Sequence, residues 1–134
     1  MSEQENERVV QAMFAAFGRG DIPGVLDRLT EDIEWRIAGP SELPFAGLHR
    51  GRAEVAQFFE TFNGASEFEV FEPQEYFSRG DRVVVLGHER QRVKATGLVV
   101  ETEWAMVFTL SGGKIARFHN FVDTHAVAAA HRGS

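Results

Sequence analysis

The chain has 134 residues and no cysteine; 43% of its side chains are hydrophobic, 25% are charged, and the formal net charge is −6. That length and balance suit a single folded domain, residues 1–134, and exclude a disordered chain. The acidic charge, without any basic block, argues against nucleic acid or an anionic membrane as partner, and the missing cysteines rule out disulfides and thiolate chemistry and suit a reducing cytoplasm.

The opening MSEQENERVV is acidic and polar, unlike a secretory leader. No apolar run approaches the roughly 20 residues that a membrane span needs. Val9, Val10, Met13, Phe14 and Phe17 then recur at helical spacing, which predicts a helix over 5–17 ended by Gly18 and Gly20. Asp21 is placed to cap a short second helix through Val25, Leu26 and Leu29, with Pro23 tolerated in its first turn. Ile33, Trp35 and Ile37 alternate with Asp32, Glu34 and Arg36, the pattern of a strand with one apolar face. GPSELPFAGLHRG reads as a loop. A third helix is expected from about Arg52 to Phe62, burying Val55, Phe58, Phe59 and Phe62 and stopped by Asn63-Gly64.

The second half reads as strands near 67–77, 82–95, 98–110 and 114–123, broken at Arg79-Gly80-Asp81, Thr96-Gly97 and Ser111-Gly112-Gly113. Such tight turns make neighbours antiparallel. Asp123 and Thr124 are suited to cap a last short helix. The expected fold is α+β: a curved antiparallel sheet wrapped around helices, with an apolar pocket between the layers. Twelve phenylalanines against one tyrosine fit such an apolar interior.

Alternation sorts the strand faces. Thr102, Trp104, Met106 and Phe108 share the apolar, inward face of their strand; Arg90 and Arg92 favour the outside, opposite Glu101 and Glu103. By the same parity Glu89 and Gln91 point inward, toward Trp104 and Asn120, and Phe118 and Val122 share a face with Asn120. A desolvated carboxylate should have a raised pKa and serve as a general base or acid. Glu89 therefore reads either as a catalytic group or as a solvated carboxylate near the wet end of its strand. Asn120 reads as a catalytic partner or as a structural hydrogen-bonding residue. Trp35, Phe59, Trp104, Met106, Phe118 and Val122 are expected to wall the pocket; Gln91 and Thr102 complete the expected substrate contacts.

Three stretches, DIEWRIAGPSELPFAGLHRGRAEVAQFFETF, KATGLVVETEWAMVFTLSGGKIARF and FHNFVDTHAV, resemble the SnoaL-like group of the nuclear transport factor 2-like superfamily. Ketosteroid isomerase and limonene epoxide hydrolase belong to the same superfamily. The resemblance covers nearly the whole chain. It implies a cone-shaped domain, the cystatin-like α+β barrel, with an internal apolar pocket, and a homodimer formed through the outer face of the sheet. Against the epoxide hydrolase pattern, Glu89 and Asn120 stand where two catalytic aspartates stand, Gly87 where an arginine stands, Trp35 at a pocket tyrosine and Ile37 at a pocket asparagine. Against ketosteroid isomerase, Met13 or Phe14, Trp104, and Ile37 or Ala38 replace the oxyanion tyrosine, the oxyanion aspartate and the base aspartate. The steroid isomerase groups are thus missing. A cyclase-type use of one carboxylic acid, Glu89, stays compatible with the resemblance.

Other chemistries lack their patterns. His49, His88, His119, His125 and His131 form no HExxH, and no metal or organic cofactor is expected. His49 stands either at the pocket mouth or as a solvated loop residue. The serines lack a nucleophile-elbow context, and Gly112-Gly113 has no helix after it to make a phosphate loop. The expected function is binding of a small hydrophobic organic molecule, with cofactor-free acid–base chemistry of the isomerase, cyclase or hydrolase type. The alternatives are a non-catalytic ligand-binding module and a dimeric scaffold on the same fold.

Overall fold

A computed structural model describes residues 2–133. Helix α1 (Glu3–Gly18) begins at a capping box in which Ser2 and Glu5 each accept the other's backbone N–H. Helix α2 (Ile22–Leu26) is capped by Asp21, whose Oδ1 accepts from Gly24 N at 2.9 Å. Leu29, expected in that helix, instead opens strand β1 (Leu29–Ile37). The Gly-Pro stretch after it is a loop only as far as residue 46, because Gly47–Arg50 forms a short strand, β2, antiparallel to β1. Four residues are too few to show alternation. Helix α3 (Gly51–Ala65) runs through Asn63 and Gly64 rather than stopping there. Burial of Phe62, with Ala65 packed against the same core, outweighs the poor helix propensity of that pair.

Strands β3 (Ser66–Arg79), β4 (Arg82–Val93), β5 (Val99–Ser111) and β6 (Lys114–Phe121) form a meander, and α4 (Thr124–Arg132) follows, capped by Asp123. The β5–β6 hairpin turns at Gly112 and Gly113, whose φ values of 57° and 84° fit the two left-handed positions of a two-residue turn. The fold is mixed α+β, with four helices and a six-stranded, curved, unclosed sheet of order β2-β1-β6-β5-β4-β3. One pairing departs from the antiparallel expectation: β1 and β6 run parallel, with Trp35 opposite Phe118. The long excursion through α3 and the meander makes that possible, since parallel partners need a crossover.

Strand β3 explains the curvature. Its register against β4 slips between Phe68 and Val70 and again between Pro73 and Glu75. Each slip bends the strand over the helices and resets which residues face in. Phe68, Phe71 and Tyr76 pair with Gln91, Glu89 and Val85, so all three face inward despite spacings of three and five. On the outside, Arg90 pairs with Glu69 at 2.8 Å and Glu101 at 3.6 Å, Arg92 with Glu67 and Glu69, and His88 with Glu101 at 3.2 Å.

Candidate active site

Between α1, α3 and the inner face of the sheet lies a hollow of about 80 Å³. Phe14 and Phe17 come from α1, Phe58, Phe59 and Phe62 from α3, Phe68 and Phe71 from β3, and Trp35 and Phe118 from the parallel pair. Ala38 and Phe45 from the loop after β1 and Val127 from α4 border it as well. The rings interlock: Trp35 stacks on Phe118 at 4.0 Å, Phe17 meets Phe71 edge-on at 5.2 Å, and Phe58 meets Phe59 at 5.0 Å.

Three polar side chains line this wall: Glu89, Gln91 and Asn120. Glu89 and Gln91 are each 3% exposed. Gln91 Nε2 donates to Glu89 Oε2 at 3.1 Å, and Gln91 Oε1 accepts from Ser66 Oγ at 2.8 Å. Both ends of the Gln91 amide are thus engaged within the protein, one of them on Glu89. Glu89 Oε1 has no protein partner among the described residues and is not sealed from the hollow. Burial pushes the Glu89 carboxyl up to about 7, opposed by the Gln91 hydrogen bond and the charge of His88. Asn120 Oδ1 accepts from Ala38 N at 2.7 Å, which leaves the Asn120 NH2 to face the hollow. That one residue is at once a structural tie to the end of β1 and a donor to the cavity.

Of the residues expected at the site, Glu89, Asn120, Trp35, Phe59, Gln91, Met106, Phe118 and Val122 line the hollow; Thr102 and Trp104 do not. The Trp104 ring lies over Gly87, where a Cβ would come within 2.2 Å of Cζ2, and stacks on Phe71 at 5.1 Å. It is core behind the wall. The same overlap means that no side chain fits at position 87 without displacing the indole. Thr102 sits beyond the end of β6, half-exposed, with its hydroxyl donating to Glu103 O.

His49 belongs to β2, bonded through Nε2 to Phe45 O at 2.8 Å and packed on Phe58, not at the hollow. His119 lies on the outer side against Phe121, its pKa lowered by partial burial and by Arg36. Among the described residues no group of three His, Asp or Glu converges as a metal site. No helix in the described residues is long and apolar enough to cross a membrane. The lining residues outside the expected set come from several places. Met13, Phe14 and Phe17 of α1 and Phe58 and Phe62 of α3 lie on the apolar faces that helical spacing gives those helices; Ile37, Ala38, Phe45 and Val127 come from the end of β1, the loop after it and α4; Phe68 and Phe71 are hidden by the β3 register slips, which strict alternation cannot see.

The family model of the SnoaL-like domain matches residues 10–118. The structure is similar to a crystallised nuclear transport factor 2-like protein from Burkholderia xenovorans LB400, at 40% identity and TM-score 0.89 over 98% of both chains. An uncharacterised protein of Mycobacterium tuberculosis is 29% identical over 122 residues, 90% of this chain and 91% of its own. TerC, co-crystallised with polyporic acid, is 26% identical with TM-score 0.81, over 96% of this chain and 98% of its own.

Proposed function

We propose, for a chain that belongs to the SnoaL-like domain family of the nuclear transport factor 2-like superfamily, that Glu89 transfers a proton on a small, flat, apolar carbonyl compound held among the phenylalanines. One observation carries this reading: a carboxyl group with pKa about 7 has one oxygen tied to Gln91 and the other open to an aromatic hollow. Near neutral pH such a group is divided between base and acid, which suits both halves of a proton transfer. Glu89 Oε1 would take a proton from the carbon beside the carbonyl. The electron pair of that C–H bond moves to the carbonyl oxygen, and the Asn120 NH2 donates to the enolate formed. Glu89 then returns the proton to the same carbon or to a conjugated one. The ring wall recognises a flat apolar body by area and quadrupole geometry. At about 80 Å³ the hollow takes a ring only if phenyl groups rotate or α4 shifts.

The test is proton exchange in deuterated water. Enolisable aryl ketones and enones are incubated with the protein and followed by NMR; polyporic acid, with which TerC was crystallised, has no C–H beside its carbonyls and serves only as a binding probe. Deuterium should enter beside the carbonyl of at least one compound, and Glu89→Gln should slow that by about 10² to 10⁴-fold. Enolisable compounds that all bind without exchange would point to a non-catalytic ligand carrier and would defeat the acid–base reading.

We propose also that a second copy covers the outer sheet face. Phe77 pairs with Val84, Val84 with Val107, Leu86 with Ala105 and Ala105 with Phe121, making an apolar stripe, and Phe77 and Phe121 are 53% and 47% exposed. At one end of it His88 and Arg90 are already paired with glutamates, which lowers the electrostatic cost of desolvating that end. Analytical ultracentrifugation should give twice the chain mass, and Phe121→Glu should return the monomer mass. A wild-type monomer at micromolar concentration would count against this interface.

A further inference from the structure

A file of polar side chains leads from the hollow to the far end of the chain. Glu89 and Gln91 belong to β4, Ser66 opens β3, and His131 sits in the last turn of α4. Gln91 Nε2 reaches Glu89 Oε2 at 3.1 Å, Ser66 Oγ reaches Gln91 Oε1 at 2.8 Å, and His131 Nε2 stands 3.4 Å from Ser66 Oγ. His131 Nδ1 lies 3.0 Å from Val127 O. Ser66 is 1% exposed, whereas His131 is half-buried and so touches solvent.

Donor and acceptor chemistry allows this file only two directions. A carbonyl oxygen cannot donate, so His131 Nδ1 carries its proton in either state. With Glu89 ionised, the Gln91 NH2 must face it, Ser66 donates to Gln91, and the Ser66 oxygen then accepts from a protonated His131 Nε2. With Glu89 protonated, the carboxyl can donate to Gln91 Oε1 once the amide turns over. The Gln91 NH2 then donates to Ser66, and Ser66 donates to a bare His131 Nε2. The two arrangements hold the same number of protons. No proton crosses the amide, which simply rotates.

We infer that His131 is a positioning residue for Glu89, coupled to it through Gln91 and Ser66, so that proton uptake by Glu89 in the hollow is matched by proton release from His131 to solvent. The inference rests on Glu89 as the proton-transfer group for its use, though not for its detection. Direction is also carried by the fold around it. His131 packs on Phe45, a wall residue, and the α4 segment that carries it is held to the same loop by the pair Arg132–Glu42 at 2.6 Å. Other charges near the file have partners outside it: Arg92 with Glu67 and Glu69, Arg90 with Glu69 and Glu101, His88 with Glu101, and Lys94 with Asn63 O; of these, His88 also lowers the Glu89 pKa by its charge and is present in every variant compared. Met13, Phe14 and Phe17 of α1, with Thr102 opposite Glu89 on β5, add no charge.

The experiment is NMR titration of the full chain, reading the Glu89 carboxyl carbon and the His131 ring nitrogens. His131→Phe, which keeps a ring against Phe45, should raise the Glu89 pKa by about 0.5 pH unit or more, a factor of about three in its proton equilibrium. Glu89→Gln should lower the His131 pKa by the same amount, because coupling between two sites is reciprocal. Ser66→Ala leaves both charges in place and cuts the file, so in that background both shifts should vanish. If Ser66→Ala fails to fold, Gln91→Leu serves the same purpose. Equal shifts that survive the cut would mean a through-space charge effect and would overturn the relay, as would no shift at all. Failure here leaves the deuterium-exchange result for Glu89→Gln untouched, and an active Glu89→Gln would remove the proposed chemistry without touching the coupling.

Discussion

Glu89→Gln is expected to make the protein more stable than wild type at pH 8 by about 3 kcal/mol, while removing proton exchange. The carboxyl belongs at 4.5 in the unfolded chain and stands at about 7 in the folded one. At about 1.4 kcal/mol per pH unit, that difference amounts to about 3 kcal/mol. The sign follows from which state holds the proton more tightly. Here the folded state does, so the Glu89 contribution is most favourable below pH 4.5, is lost as pH rises from 4.5 to about 7, and stays lost above that. Glutamine has the same shape and no charge to desolvate, and it can still accept from Gln91 Nε2. Urea unfolding of both proteins at pH 4, 6 and 8 would show curves that run together at pH 4 apart from a constant and separate above it. Parallel curves across the range would mean that the carboxyl is solvated in solution. Gain of stability with loss of turnover is the expected mark of a group kept for chemistry at the expense of folding energy.

The second large effect is expected at Phe118. Its ring is 4% exposed, stacks on Trp35 at 4.0 Å and lies 5.2 Å from Phe108. Phe118→Ala removes a shared wall between core and hollow and should destabilise the fold by about 3–5 kcal/mol, a large share of a total near 5–15 kcal/mol. The lost ring leaves space joined to a hollow that is already apolar. Benzene or indole should therefore bind the variant more tightly than wild type and restore part of its melting temperature. Phe118→Leu should lose much less. A loss under about 1 kcal/mol for the alanine variant would mean that Trp35 collapses into the gap, because the cost depends on how far the site relaxes.

Particular residues show what a one-dimensional reading can reach. The inward set Glu89, Gln91, Met106, Phe118 and Asn120 follows from period-two alternation in β4, β5 and β6, which pair without slips over those positions. Alternation names a face, and it says nothing of how deep a side chain sits along that face. Trp104 shares the inward face yet lies behind the wall, because Gly87 opposite it leaves room for the indole to fold flat. Thr102 shares the face and ends half-exposed, because β6 stops at Phe121 and leaves that end of β5 uncovered. Strand β2 and the continuation of α3 through Asn63-Gly64 depend on partners distant in sequence, which propensity does not encode.

Helical spacing in α1 and α3, alternation in the strands, and glycine turns at 80, 97 and 112–113 were sufficient for the α+β class, the meander and an acidic residue aimed inward. These are local properties, set by backbone geometry within a few residues. The register slips of β3, the parallel β1–β6 pair and the contact of His131 with Ser66 came only from the tertiary structure. Each joins segments far apart in the chain, where register slips and packing decide which side chains meet.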